Sequence, residues 1–159
     1  QQVSYMSLKQ ILEDDARRAL KQREQLKLDT LRMAITAVRN REIDKRAKGG
    51  DGALAEEEIL AVLRMEAKKR RDASDAFRVA GRAELADKED AERVFLEAYL
   101  PKELLDEEIE KLLQPIAAGA SMKEFGRLMG AAMKAVAGRA SGDRVSAVLK
   151  KMLEVENKP

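Results

Sequence analysis

The sequence predicts an all-α protein: a helical N-terminal domain over residues 6–101, then a small three-helix C-terminal domain over 102–159. Three observations carry this. Apolar residues recur at helical spacing in segment after segment, and no stretch alternates as a half-buried strand does. Charged residues make up 38% and aromatics 3%, with three prolines, so the core must be built from Ala, Leu, Val, Ile and Met, a mix that favours helices. Capping pairs and glycine breaks separate the periodic segments.

The elements follow in order. Residues 1–5 read as an expression remnant before a native Met6 and are set aside. Ser7 with Gln10 forms a capping-box pattern, opening a helix from about Leu8 to Arg23 with Leu8, Ile11, Leu12, Ala16, Ala19 and Leu20 on the buried side. A second helix runs from about Leu26 to Arg46 on the stripe Leu28, Leu31, Ile35 and Val38. The run KGGDGALAEEE breaks the pattern, and its glycines predict a mobile, dispensable loop over Lys48–Leu54. A third helix spans Glu56 to Val79, with acids in its first turn, where the helix dipole favours them. After Gly81 a charged helix continues to Tyr99 and stops at Pro101, which lacks the N–H a continuing helix would use. Asp106 is placed as N-cap of the next helix, which Pro115 should end or kink. Ser121 with Glu124 forms a second capping box and opens a helix through Val136, its stripe being Phe125, Leu128, Met129, Ala132 and Met133. The last helix, about Asp143 to Leu153, buries Val145, Val148, Leu149 and Met152.

Composition narrows the chemistry. With no cysteine there is no disulfide framework and no thiol nucleophile. With no histidine, imidazole acid–base chemistry is excluded and any metal would have carboxylates alone. No phosphate-binding loop, dinucleotide fingerprint or nucleophile elbow is present, so no catalytic residue, metal or cofactor is expected. No apolar run approaches the ~20 residues of a membrane span, and a cytoplasmic location is the default expectation. Charge is segregated: residues 1–82 carry 19 Lys/Arg against 14 Asp/Glu, residues 83–113 carry 4 against 11, and residues 114–159 carry 8 against 4. The basic ends could attract polyanions.

Three constellations stand out. The first is ionic. Glu66 sits at the centre of the third helix's apolar stripe with Lys69 and Arg70 beside it, Glu92 lies on the face shared by Leu85, Phe95, Leu96 and Tyr99, and Glu42 lies with Leu31, Ile35 and Val38. A carboxylate on an apolar stripe must find a cation, stay wet or take up a proton. Glu42, Glu66, Arg70 and Glu92 therefore read as a structural clamp between helices, with a catalytic carboxylate pair or anion pocket as the alternative; the clamp is preferred because buried charges usually pair. The second is a row of cations, Arg64, Lys68, Arg71 and Arg78, within a narrow arc of the third helix. It could track phosphates, but such rows are more often solvated faces, and no aromatic interleaves it for base stacking. The third is the glycine-bearing turn before the last helix, where Lys134, Arg139, Arg144, Lys150 and Lys151 gather. An anion site and an ordinary helix connection fit it equally well.

Four blocks in order resemble the YqeY-like family: LRMAITAVRNREIDKR at 31–46, AKKRRDASDAF at 67–77, the run from Ala80-Gly81-Arg82 through Leu85, Lys88-Glu89 and Glu92 to Tyr99-Leu100-Pro101, and MGAAMKAVAGRASGDRVSAVLKKML at 129–153. Pro115 departs from the uninterrupted helix the family leads one to expect. These small bacterial proteins are related to the tail of the B subunit of glutamine-dependent tRNA amidotransferases. That kinship implies a non-catalytic role, binding tRNA or acting as an adaptor beside an aminoacyl-tRNA synthetase or amidotransferase. It also implies that Lys134, Arg139 and Arg144 would meet the RNA. The kinship is to the tail and not to the catalytic part. A carbon–nitrogen ligase using glutamine as amido-N donor, or a subunit of one, is the alternative from another class. An adaptor that binds protein and no nucleic acid is a third.

Overall fold

The computed structural model describes residues 6–156 and is helical throughout them, with no strand among the described residues. The chain divides into two compact units, one ending at Leu100 and the other beginning at Pro101.

The first unit holds α1 (Leu8–Lys21), α2 (Gln25–Ala47), α3 (Glu56–Val79) and α4 (Ala83–Glu97). The Ser7–Gln10 capping box is formed: each residue's side-chain oxygen accepts the other's backbone N–H, at 3.2 and 3.1 Å. Its core is aliphatic, with Leu12, Leu31, Ala34, Val38, Leu63 and Leu96 fully buried. α1 packs on α2, α3 pairs closely with α4, and α4 also reaches α2. The α3–α4 turn needs a left-handed residue, supplied by Gly81 at φ +73°. Leu20, expected on the buried side, is 55% exposed. It stands one 100° step past Ala19, off the arc that Leu12 and Ala16 share.

Tyr99, just beyond α4, ties the end of that helix to α1. Its hydroxyl donates to Asp15 Oδ2 at 2.5 Å. Burial first, then the Asp15 carboxylate, pushes the phenol well above its ordinary 10.0. A raised folded value for an acid means stability falls as pH climbs above the free phenol's range. Tyr99→Phe is expected to cost about 1.5–3 kcal/mol, the worth of a hydrogen bond to a charged group, read as a lower urea midpoint at neutral pH.

The Lys48–Leu54 loop differs from the mobile tether the sequence suggests. Gly52 is buried at φ +80° beneath the end of α2. Lys45 Nζ donates to Ala53 O at 2.8 Å and to Glu58 Oε2 at 2.8 Å, and Ala53 N donates to Asp51 Oδ1 at 2.9 Å. Lys45 first, then the Ala55 N–H, holds the Glu58 carboxyl below its usual range. Three glycines marked where the chain bends; they did not reveal the lysine that closes the bend.

The second unit holds α5 (Asp106–Ala117), a 3₁₀ turn (Met122–Glu124), α6 (Phe125–Val136) and α7 (Gly142–Glu156) around Ile109, Leu113, Ala132, Val145, Leu149 and Leu153. Three details depart from expectation. Pro115 does not end α5, which runs on to Ala117. The proline sits in the exposed last turn, where the Lys111 carbonyl that loses its N–H partner can be hydrated. The cap of α5 is Leu105 and not Asp106, whose carboxylate is engaged elsewhere. Met133, expected on the α6 stripe, is 36% exposed.

Candidate functional site

The turn between α6 and α7 is built by two successive left-handed residues, Ala137 at φ +48° and Gly138 at φ +76°. They reverse the chain so that Arg139 O accepts from Leu104 N at 2.8 Å, joining the turn to the segment before α5. Arg139 Nε donates to Lys102 O at 3.2 Å. Arg144 does more: Nη2 donates to Leu104 O at 2.6 Å and to Asp106 Oδ1 at 2.8 Å, and Nη1 lies 3.5 Å from Glu103. Ser141 Oγ accepts the Arg144 N–H at 3.3 Å and so occupies the start of α7. Arg139 and Arg144 therefore brace the unit, Arg139 through Nε on one carbonyl and Arg144 through its two Nη atoms on a carbonyl and two carboxylates.

The lysines behave differently. Lys134 and Lys151 are exposed, with no side-chain ion pair or hydrogen bond among the described residues. Lys150 Nζ stands 5.3 Å from the centre of the Phe125 ring, a cation–π contact that leaves it without an acidic partner among the described residues. Lys123, which no sequence pattern singles out, is likewise exposed in the 3₁₀ turn. Arg127 is held by Glu124 at 2.6 Å, whose carboxyl is kept below its usual range first by the Ser121 N–H and then by Arg127. Five of the unit's nine acids lie in and before α5, and α7 carries three.

A family model described as Yqey-like protein matches residues 9–153. The chain belongs to the YqeY-like family. No curated protein matches it. The matched range begins in α1 and ends in α7, so it takes in both units and all the candidate residues.

In the YqeY-like chain the first unit brings Glu66, Arg70 and Glu92 together. Arg70 is 4% exposed, Glu66 7% and Glu92 9%. Arg70 Nη1 meets Glu66 Oε2 at 2.6 Å, and Nε lies 3.6 Å from Glu92 Oε2, which joins α3 to α4. Nη2 donates toward Met33 Sδ on α2 at 3.5 Å. Lys69 takes the other Glu66 oxygen at 3.0 Å. Burial, and secondarily Glu89, pushes the Glu92 carboxyl up, while Arg70 opposes this. One guanidinium between two carboxylates is an ion-pair clasp, and Glu66 has an oxygen on each of two cations, Arg70 and Lys69.

Glu42 is not part of this cluster. It pairs with Lys9 of α1 at 2.8 Å. Nine residues separate it from Met33, the α2 residue that touches Arg70, or about 13 Å along the helix, so sharing a stripe did not mean sharing a site.

Along the row Arg64, Lys68, Arg71 and Arg78, every residue but Arg64 is exposed, and two of the exposed cations meet acids. Arg78 Nη2 is held by Asp87 at 3.1 Å and Asp90 at 2.5 Å, and Arg71 approaches Glu97 at 3.9 Å, all three acids lying on α4. Ser74 first and then Arg78 holds the Asp90 carboxyl low. Arg64 is half-buried. Lys68 is exposed and has no side-chain partner among the described residues. The acidic helix that follows α3 is the partner of its basic edge.

Proposed function

We propose that this protein is a non-catalytic RNA-binding module that holds a tRNA backbone through its C-terminal unit, beside a tRNA-charging or amidotransferase assembly. The observation that carries this reading is the set of exposed lysines, Lys134, Lys150 and Lys151, none with an acidic partner among the described residues, Lys134 standing on α6, which carries no acid. Such lysines act as point charges toward phosphates and do not read bases. Kinship with the amidotransferase tail supports tRNA as the polyanion.

Titration of labelled bulk tRNA at about 50 and 200 mM salt tests it. Binding should weaken by about tenfold or more between the two, as release of a few counterions requires, and should differ little between tRNA sequences. Reversing Lys134 and Lys151 to Glu together should weaken low-salt binding by about tenfold with helicity intact, because neither side chain braces the fold. Lys68→Glu on α3 is the control and should change little. Arg139 and Arg144 are unsuited to this test, since reversing either attacks the unit's own bracing. No binding at low salt, or an unaffected Lys134/Lys151 double variant, would overturn the reading.

A further inference from the structure

α6 turns a basic face outward. Leu128, Ala132 and Val136 are buried on its inner side. Opposite them, within about 100° of arc, stand Gly126, Arg127, Gly130 and Lys134, all exposed. Lys123 precedes them in the 3₁₀ turn. The helix carries no acid, and no ion pair joins Lys123 or Lys134 to Asp143 or Glu154 of α7 among the described residues. Glu124, at the start of the face, is already engaged by Arg127 at 2.6 Å and by the Ser121 N–H at 2.9 Å. Three cations thus stand against one acid, and the face is positive. The fold itself has no use for the two glycines between these cations. Glycine is the poorest helix former after proline. Gly119 and Gly138 turn the chain at positive φ, whereas Gly126 and Gly130 are ordinary helical residues. A Cβ added at either meets nothing within 4 Å, so no neighbour inside the unit requires the gap. The glycines strip the outward face of side chains over the first part of the run from Gly126 to Lys134, which rises about 12 Å along the helix.

We propose that the RNA backbone lies across this face and that the stretch it takes is base-paired. The proposal rests on the RNA-binding reading and adds to it the contact surface and the form of the ligand. The positive charge selects a polyanion. The bare positions 126 and 130 let a sugar–phosphate strand come down to the helix backbone, while Lys123 and Lys134 reach its phosphates from either end. No aromatic ring stands on the face: Phe125, the sole aromatic of the second unit, packs against the core beneath Lys150. An unpaired base therefore has nothing to stack on, and a duplex, recognised through its phosphates and shape, fits better. A protein helix fits less well. In water such a contact is carried by buried apolar area, and on this side of α6 only Met133, at the edge of the arc and 36% exposed, could supply it.

The test measures tRNA binding and urea stability of G126A/G130A and G126L/G130L in the full chain. Both variants should raise the urea midpoint, since alanine and leucine form helix better than glycine. Both should nevertheless weaken binding of labelled bulk tRNA at about 50 mM salt, by about threefold for alanine and about tenfold for leucine, as a blocked approach to the phosphates requires. A blunt RNA duplex of about 12 base pairs should displace tRNA from the parent protein several-fold better than a single strand of the same length. If the glycine variants bind as the parent does while reversal of Lys134 and Lys151 weakens binding, the placement on α6 is overturned and the RNA reading stands. If the parent binds no tRNA, both are overturned. A lowered urea midpoint in the variants would overturn the proposal by showing that the glycines serve the fold. Equal displacement by the single strand would overturn it through the form of the ligand. Self-association of the parent that the variants abolish would overturn it by making the face a contact between copies.

Discussion

Arg70→Ala is expected to destabilise the first unit by about 3 kcal/mol, the cost of leaving buried carboxylates without their cation. Arg70 is 4% exposed and is the group placed between Glu66 and Glu92. Lys69 would still serve one Glu66 oxygen, but Glu92, at 9% exposure, would keep only the attraction of Lys88 against its burial and Glu89's repulsion. The pH dependence separates this cause from lost packing. Glu92's carboxyl already stands above its usual 4.5, so in the folded state it takes up protons more readily than in the unfolded chain, and its contribution to stability falls as pH rises through the carboxylate range. Without Arg70 that shift grows. The deficit of Arg70→Ala relative to the parent protein should therefore shrink as pH is lowered from 7 toward the carboxylate range, in parallel urea titrations. A deficit independent of pH would mean the loss is one of packing. Glu92→Gln sharpens the comparison: its amide oxygen can still accept from Arg70, and burial no longer opposes a charge, so its cost at pH 7 should be far smaller than that of Arg70→Ala.

The helices were legible because their signals are local. The α3 bounds, Glu56 to Val79, follow from an acidic first turn and a glycine two residues past the end. The Ser7–Gln10 box marked the start of α1 in the same way. A position on an apolar stripe marked Glu66 and Glu92 as carboxylates needing a cation. It could not say which cation or at what height along the helix, so Glu42 was grouped with them although its partner is Lys9. Pairing between elements was the harder part throughout. Arg78 reads as part of a solvated face whose acidic partners are unnamed until Asp87 and Asp90 of α4 are set beside it. Arg144 reads equally as an anion contact or part of a helix connection until the Leu104 carbonyl and Asp106 are. In both cases the sequence held a warning: an excess of acids just beyond α3, and acids opening α5, each able to neutralise a basic edge in the same unit.

Gly52→Ala is expected to cost about 2–3 kcal/mol, against a smaller loss for Gly49→Ala, and the difference between them measures how firmly the α2–α3 loop is packed. Both glycines have positive φ, +80° at Gly52 and +100° at Gly49, so a side chain at either strains the backbone. Only Gly52 also meets an obstacle: an added Cβ would lie 2.8 Å from the Glu42 carbonyl oxygen and 3.2 Å from Arg46 Cβ, whereas nothing lies within 4 Å at Gly49. The Glu42 oxygen belongs to helical backbone and cannot swing aside as a side-chain tip would, so the loop or the end of α2 must move. Either movement loosens the contact of Lys45 with Ala53 O and Glu58 that holds the start of α3 to the end of α2. Chemical denaturation of the two variants checks this. Equal losses would show that Gly52 matters only for its left-handed backbone. A larger loss at Gly52 would make the loop a fixed spacer between the end of α2 and the start of α3.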